Sequence, residues 1–330
     1  MNEIKRGMKK KTIESLIRFK IEDWIKHIVI DKKENEEDDV FKQRQEKFHQ
    51  DIKDNIIVTG GCIASMLLGE DVNDYDVYFK DKRVAKDVAI FYVNKLAKKS
   101  GIEDLSVSSE ANSKVSRIFV EETDIGVSIN IKSMGILSKS TDVKEYQYFE
   151  MAPFEDVQKF FKEYAFKETD KEKYNPSFVS SNAISLHNDI QIITRFVGNP
   201  QDIHKNFDFV HCTNYFTYES GLVLNQPALE SLMSRELKYV GSMFPVCSMF
   251  RIRKFIKRQW VITAGEIFKI CYDISKLDFE DFKVMKEQLT GVDAAYFLEV
   301  IDKLNQDKQN GVDIDRTYIF KIVSEMFDVD

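Results

Sequence analysis

Apolar residues recur at Ile13, Leu16, Ile17, Ile21, Trp24, Ile25 and Ile28. This is the spacing of one helical face, so residues 12–30 are expected to form an amphipathic helix that packs on another element. The run Lys32 to Asp39 contains no apolar residue and reads as a solvated linker or a polar helix surface. From Asn55 the pattern changes. IIVT is a short buried run, Gly60-Gly61 a turn, CIASMLL a helix start, and DYDVYF an alternating strand, which together make strand, turn, helix, strand. The same reading predicts a helix over Arg83–Lys99, strands at Val115–Glu121 and Gly126–Ile131, a helix over Phe154–Phe166 and a polar loop around Lys167–Tyr174. A hairpin follows, NAISL-HN-DIQIITRF with a two-residue Asn-containing turn, and then a longer strand, FDFVHCTNYF. After Gln226 the spacing is helical to the end. The simplest organisation is an N-terminal helical segment (1–49), an α+β head (50–216) with a long insert at about 85–180, and an α-helical neck and body (217–330).

With 330 residues, 43% apolar and 31% charged, including 25 Phe and 13 Tyr, the chain is a folded protein of more than one packed unit and not a disordered one. Cys62, Cys212, Cys247 and Cys271 lie in apolar stretches without CxxC spacing, which points to reduced thiols, a cytosolic protein and no structural zinc. No run reaches the roughly 20 apolar residues a membrane span needs, and no apolar segment follows the charged N-terminus, so neither a membrane partner nor secretion is expected. A formal net charge of −7 gives no overall pull toward nucleic acid, although a local basic patch can still bind phosphate. With 13 Gly and 5 Pro against many Lys, Ile, Asn and Asp, the composition suggests an AT-rich genome such as a phage's, which would place the protein in the host cytoplasm.

The candidate chemistry lies at Gly60-Gly61 and Asp74-x-Asp76. Glycine has no side chain and tolerates positive φ, so backbone N–H groups at such a turn can approach phosphates, and the following helix N-terminus adds further donors and partial positive charge. Asp74 and Asp76 stand two apart in a strand of period two. Both carboxylates would project from one face, roughly 6–7 Å apart, as bridging of hard divalent cations such as Mg2+ or Mn2+ requires. In two-metal phosphoryl chemistry such ions activate the attacking hydroxyl and steady the leaving pyrophosphate. Either motif alone is a weak signal, and the two in order on the right elements are a stronger one.

Double glycine, short helix, and DxD on the next strand together resemble the polymerase-β nucleotidyltransferase superfamily. GGCIASMLLGEDVNDYDVYF is similar to the GGxxRDxLLGxxxxDxD signature of the tRNA CCA-adding enzyme and bacterial poly(A) polymerase family. IQIITRF, DFVHCTNYF and SMFRIRKFIKRQWVI resemble, in the same order, that family's third core strand, its RDFTINALAY strand and its neck helix. The resemblance covers roughly residues 56–80 and 190–262. It implies a nucleotidyltransferase head with a mixed β-sheet followed by an all-α body. It also implies two Mg2+ or Mn2+ ions on Asp74 and Asp76, and a nucleoside triphosphate held at Gly60, Gly61 and Ser65 and steadied by Arg251 and Lys254. The acceptor would be a tRNA or other RNA 3′ end, or else a protein hydroxyl.

The sequence departs from the family at several positions. Ala64-Ser65 stands where the family has Arg-Asp. Gln191 occupies the position of the third carboxylate, so either two carboxylates suffice, or Asp189 or Asp208 contributes the third, or the enzyme is degenerate. No EDxxR element is visible, so CCA addition is not expected. Arg195 could pair with Asp208 or with phosphate. Arg251, Arg253, Lys254, Lys257 and Arg258 interleave with Phe250, Ile252, Phe255, Ile256 and Trp260, and Arg251, Lys254 and Arg258 share one helical face. That face suits a triphosphate or an acceptor backbone, or is simply solvated. His211 has no second ligand at metal spacing and reads as a core histidine. GxSxG and Walker motifs are lacking. The competing reading is a catalytically degenerate module that binds nucleotide, RNA or protein, and Gln191 is the feature that favours it.

Overall fold

The structure is a computed structural model that describes residues 9–100, 107–108, 118–131, 172–179 and 182–278, with isolated helical residues at 284, 288, 317–318 and 321. The chain forms two compact units, Met1–Lys205 with His211–Leu232, and Asn206–Val210 with Met233–Asp330.

The first unit opens with α1 (Lys10–Lys26), which buries Ile13, Ile17, Ile21, Trp24 and Ile25 as its spacing predicts. α2 (Asp38–Asn55) begins at the end of the polar run. Ile52 is its buried residue, Asp38 and Asp39 stand in its first turn and Lys53 in its last, so its charges complement the helix dipole. Gln45 ties it to the segment just after α1, accepting from Ile30 N–H at 2.8 Å and donating to Ile28 C=O at 2.7 Å. β1 (Ile56–Thr59), α3 (Gly61–Leu68) and β2 (Tyr75–Phe79) follow as the sequence predicts, with left-handed Gly69 closing α3.

Next come α4 (Lys82–Ser100) and a three-stranded sheet, β3 (Val107–Ser108), β4 (Ile118–Glu122) and β5 (Val127–Ile131). The helix expected over 154–166 lies outside the described residues. β6 (Pro176–Val179), β7 (Ala183–Leu186) and β8 (Ile190–Val197) precede the short α5 (Pro200–His204). The β7–β8 loop has three residues and not two: Leu186 pairs with Ile190, and Asn188 and Asp189 are both left-handed, a conformation their short polar side chains tolerate. The long strand expected at 207–216 is instead a 3-10 turn at Val210–Cys212 and the short β9 (Tyr215–Thr217), which pairs with β10 (Gly221–Val223).

The seven strands of the main sheet run β10-β9-β1-β2-β8-β7-β6. β2 and β8 are parallel and the other neighbours antiparallel, so the sheet is mixed. This unit is therefore α+β with a mixed sheet, as the strand-turn-helix-strand pattern implied. Ile56, Val58, Val77, Phe79, Ile190, Ile192 and Phe216 enter the main core from one sheet face. Alternation then places Thr59, Asp76, Tyr78 and Gln191 on the other face.

α6 (Gln226–Ser234) leads into the second unit, whose described elements are helices and the two-residue parallel pair β11 (Glu236–Leu237) and β12 (Val261–Ile262). α7 (Pro245–Lys257) starts on a helix-compatible proline, and α8 (Ala264–Ile274) is capped by the Thr263 hydroxyl accepting from Glu266 N–H. Phe209, Phe255 and Trp260 stack edge-on, with both centroid distances 5.7 Å. No described helix is long and apolar enough to cross a membrane.

Candidate active site

The glycine turn and the second aspartate meet. Gly60 has φ +93°, and a Cβ placed on it would lie 2.7 Å from Asp76 Oδ2, so the carboxylate occupies the space a side chain would take. β1 and β2 are paired so that Thr59 faces Asp76, which is why the turn after one strand abuts the carboxylate on the next. Gly60 N–H is spent on Cys212 C=O at 3.1 Å. At Gly61, the first residue of α3, a Cβ would meet nothing within 4 Å, and the residue is exposed. The two glycines thus differ: Gly60 is needed for close approach and positive φ, whereas Gly61 opens the helix N-terminus to solvent.

Gly60→Ala is expected to cost about 2–4 kcal/mol, the sum of an unfavourable backbone and a displaced carboxylate. Gly61→Ala should stay within about 0.5 kcal/mol of wild type. Denaturant unfolding of the two variants measures the difference.

Asp74 and Asp76 are not equivalent. Asp74 lies one residue before β2 and is exposed, while Asp76 lies within the strand and is partly buried. On the other side Asp76 is in register with Gln191 of β8, the parallel neighbour. The residue at the third-carboxylate position is therefore beside Asp76 on the same face, as an amide. Gln191 Nε2 donates to Ser185 Oγ at 3.4 Å.

Asp189 is not brought to this group. The left-handed turn lifts it out of β8, and its carboxylate lies 3.5 Å from Lys20 Nζ, which itself stands over the Tyr75 ring. Tyr75 alternates with Asp76, so Asp189 belongs to the α1 side of the sheet. Asp208 is likewise committed elsewhere: it is buried in the second unit, accepts from Ser242 Oγ at 2.9 Å and is ion-paired with Arg251. Arg251 is therefore Asp208's partner, a pairing the sequence had suggested for Arg195. Arg195 lies in the irregular half of β8, where the Gly126 turn packs on its carbonyl. Ser65 is buried one turn into α3, and Lys254 is exposed on α7. His211 is buried, as a core histidine would be.

Sequence reasoning missed Thr59 and His204. Thr59 is fully buried beside the glycine turn, and His204 Nε2 reaches its hydroxyl at 2.9 Å from α5. Burial drives the His204 imidazole down to about 4, so the ring is neutral at physiological pH. Cys62 packs under the same turn, with Sγ 3.7 Å from Thr59 C=O, and burial followed by the Asp76 charge pushes its thiol far up, making it an unreactive apolar filler. The cue for Thr59 was its place immediately before the double glycine. His204 had none, because nothing local links it to a residue 145 positions away.

The chain matches the Gabija anti-defense 2 family over residues 15–235. It belongs to that family. The matched span takes in nearly all of the first unit and therefore the glycine turn, Asp74, Asp76 and Gln191. A curated relative, Gabija anti-defense 2 of Bacillus phage SPbetaL7, is 24% identical over 138 residues, which are 41% of this chain and 34% of the relative. The chain thus spans about a third of that relative's length. Among solved structures, the Thermotoga maritima CCA-adding enzyme complexed with tRNA is similar at a TM-score of 0.35 and 11% identity, over 93% of this chain and 67% of that one. The Bacillus stearothermophilus CCA-adding enzyme in complex with CTP is similar at a TM-score of 0.31 and 12% identity, over 73% of this chain and 45% of that one.

Among the described residues no three His, Cys, Asp or Glu side chains come together as a metal cluster. The available donor set is two carboxylates and an amide. Amide carbonyl oxygens do ligate hard cations, so Asp74, Asp76 and Gln191 Oε1 suit a divalent ion, with one negative charge fewer than three carboxylates would supply. The space at Gly60 that Asp76 Oδ2 fills holds one of these oxygens at the mouth of the turn.

Proposed function

We propose that the first unit is a metal-dependent nucleotidyltransferase head that moves a nucleoside monophosphate from a nucleoside triphosphate to an acceptor hydroxyl. The observation that carries this reading is the contact between Gly60 and Asp76, which sets a phosphate-compatible turn against a cation-ligating carboxylate. Asp74 and Asp76, with the Gln191 carbonyl, would hold Mg2+ or Mn2+. When bound, such an ion offsets negative charge on the phosphates and lowers the pKa of a bound hydroxyl.

The chain's own part is to bind and orient. The N-terminus of α3 at Gly61 directs backbone donors and positive partial charge toward phosphate, and Asp76 keeps the cation site beside that turn. The acceptor oxygen forms a bond to the α-phosphorus as the bond from that phosphorus to the bridging oxygen breaks. Pyrophosphate leaves with the electron pair, and the acceptor's proton is released. An RNA 3′ end is the first acceptor to test and a protein hydroxyl the second. Membership of a family named for counteracting Gabija supports a role against that defence in an infected cell. A second reading, a nucleotide- or protein-binding module without turnover, is favoured by the amide at Gln191, which weakens the cation site.

Titrating the purified chain with each of the four nucleoside triphosphates, with and without Mg2+, tests the proposal. Heat from at least one triphosphate that requires Mg2+ supports a nucleotide site. No heat from any of the four would sink the catalytic reading.

A further inference from the structure

We infer that His204 is a positioning residue for the nucleotide turn, holding Gly60 against Asp76 through a hydrogen-bonded strut that runs by way of Thr59. Its effect on the turn stands on geometry alone, and its effect on nucleotide rests on the nucleotidyltransferase reading.

Thr59 is the last residue of β1, fully buried, and its neighbours in register are Asp76 on one side and Tyr215 on the other. Its Oγ1 lies 2.8 Å from Asn214 C=O, 3.2 Å from Cys212 C=O and 2.9 Å from His204 Nε2. A hydroxyl has one proton to give. A carbonyl can only accept, so the proton goes to a carbonyl and the imidazole must be the donor, with its hydrogen on Nε2. A ring kept neutral by burial supplies this donor without placing a cation beside the carboxylates. The ring is also held at 5.8 Å from Tyr215, the residue paired with Thr59.

The same segment carries the acceptor that fixes the turn. Cys212 C=O receives Gly60 N–H at 3.1 Å, and Asn214 Oδ1 receives Asn225 N–H at 2.8 Å. Residues 212–214 are thus fastened to Thr59 on one side and to Asn225 on the other. The Gly60 bond to Cys212 C=O helps hold the turn where Gly60 approaches Asp76. Without the His204 donor, the Thr59 hydroxyl loses one of the partners that set its direction, and its hold on the 212–214 segment that carries the Gly60 acceptor is loosened.

The test is amide hydrogen exchange on the full chain without ligands, comparing His204→Leu with His204→Gln, whose side-chain amide can reach where Nε2 stands. Exchange at Gly60 should accelerate about tenfold in the leucine variant, by the size of one lost buried hydrogen bond. The slowest amides of β1 and β2 should move less, and glutamine should restore Gly60. Equal acceleration at all sites, or none at Gly60, would overturn the assignment. If His204→Leu does not fold, His204→Gln against His204→Asn decides, because asparagine has the same chemistry but falls short of Thr59; equal exchange in these two also overturns it. The affinity for Mg2+-triphosphate should fall about tenfold in the leucine variant and recover in the glutamine one. If wild type binds no triphosphate the catalytic reading fails, and the exchange result still decides the role of His204.

Discussion

Asp76→Ala is expected to abolish measurable nucleotide transfer while leaving the protein folded. Asp76 is the carboxylate set against the glycine turn, and with Gln191 as its neighbour in place of an acid the proposed cation site has, among the described residues, no third carboxylate in reserve. Loss of a ligand that stabilises transition-state charge is worth about 3–4 kcal/mol, or roughly 150- to 900-fold in rate. Stability should change by no more than about 1 kcal/mol, which a thermal melt would show. Transfer surviving in Asp76→Ala would exclude this carboxylate from the chemistry.

The same geometry makes a sharper statement about the pair. The clash expected in Gly60→Ala is with Asp76 Oδ2, so adding Asp76→Ala should recover part of the stability that Gly60→Ala loses. The positive-φ cost should remain. This coupling separates steric pressure from backbone strain, which no single variant does.

Local signals account for what the sequence revealed. Ile13, Ile17, Ile21 and Trp24 mark α1 because a buried helical face must be apolar at that spacing, and the double glycine followed by DxD marks β1, α3 and β2 because turn and strand chemistry are both local. α2 escaped notice because it buries little beyond Ile52 and is held by charge and by Gln45. Asp189 looked like a ligand from strand parity. Parity fails where two successive left-handed residues turn the chain, and Asn188-Asp189 permits that turn without requiring it. The strand expected at 207–216 was lost to a non-local competitor: Asp208 and Phe209 are drawn into the second unit by Arg251, Ser242 and Tyr239. Gln191 was the departure that mattered, and its place beside Asp76 followed only once the parallel register of β2 and β8 was known.

Arg251→Ala should cost about 3–5 kcal/mol of stability, because it strands a buried charge. The Asp208 side chain is 4% exposed, and Arg251 and the Ser242 hydroxyl are its partners. With the guanidinium gone, a single neutral hydroxyl would be left to solvate a carboxylate that water barely reaches. Arg251→Lys should recover part of the loss, since an ammonium restores charge but not the planar fork of donors. Arg251→Met with Asp208→Leu should lie closer to wild type than Arg251→Ala alone, because removing both charges also removes the desolvation penalty. Denaturant unfolding measures all three. The alternative role suggested by helix spacing, a phosphate contact, predicts the opposite pattern, with stability kept and triphosphate affinity lost. An Arg251→Ala protein as stable as wild type would therefore return this arginine to the nucleotide and leave Asp208 without an account.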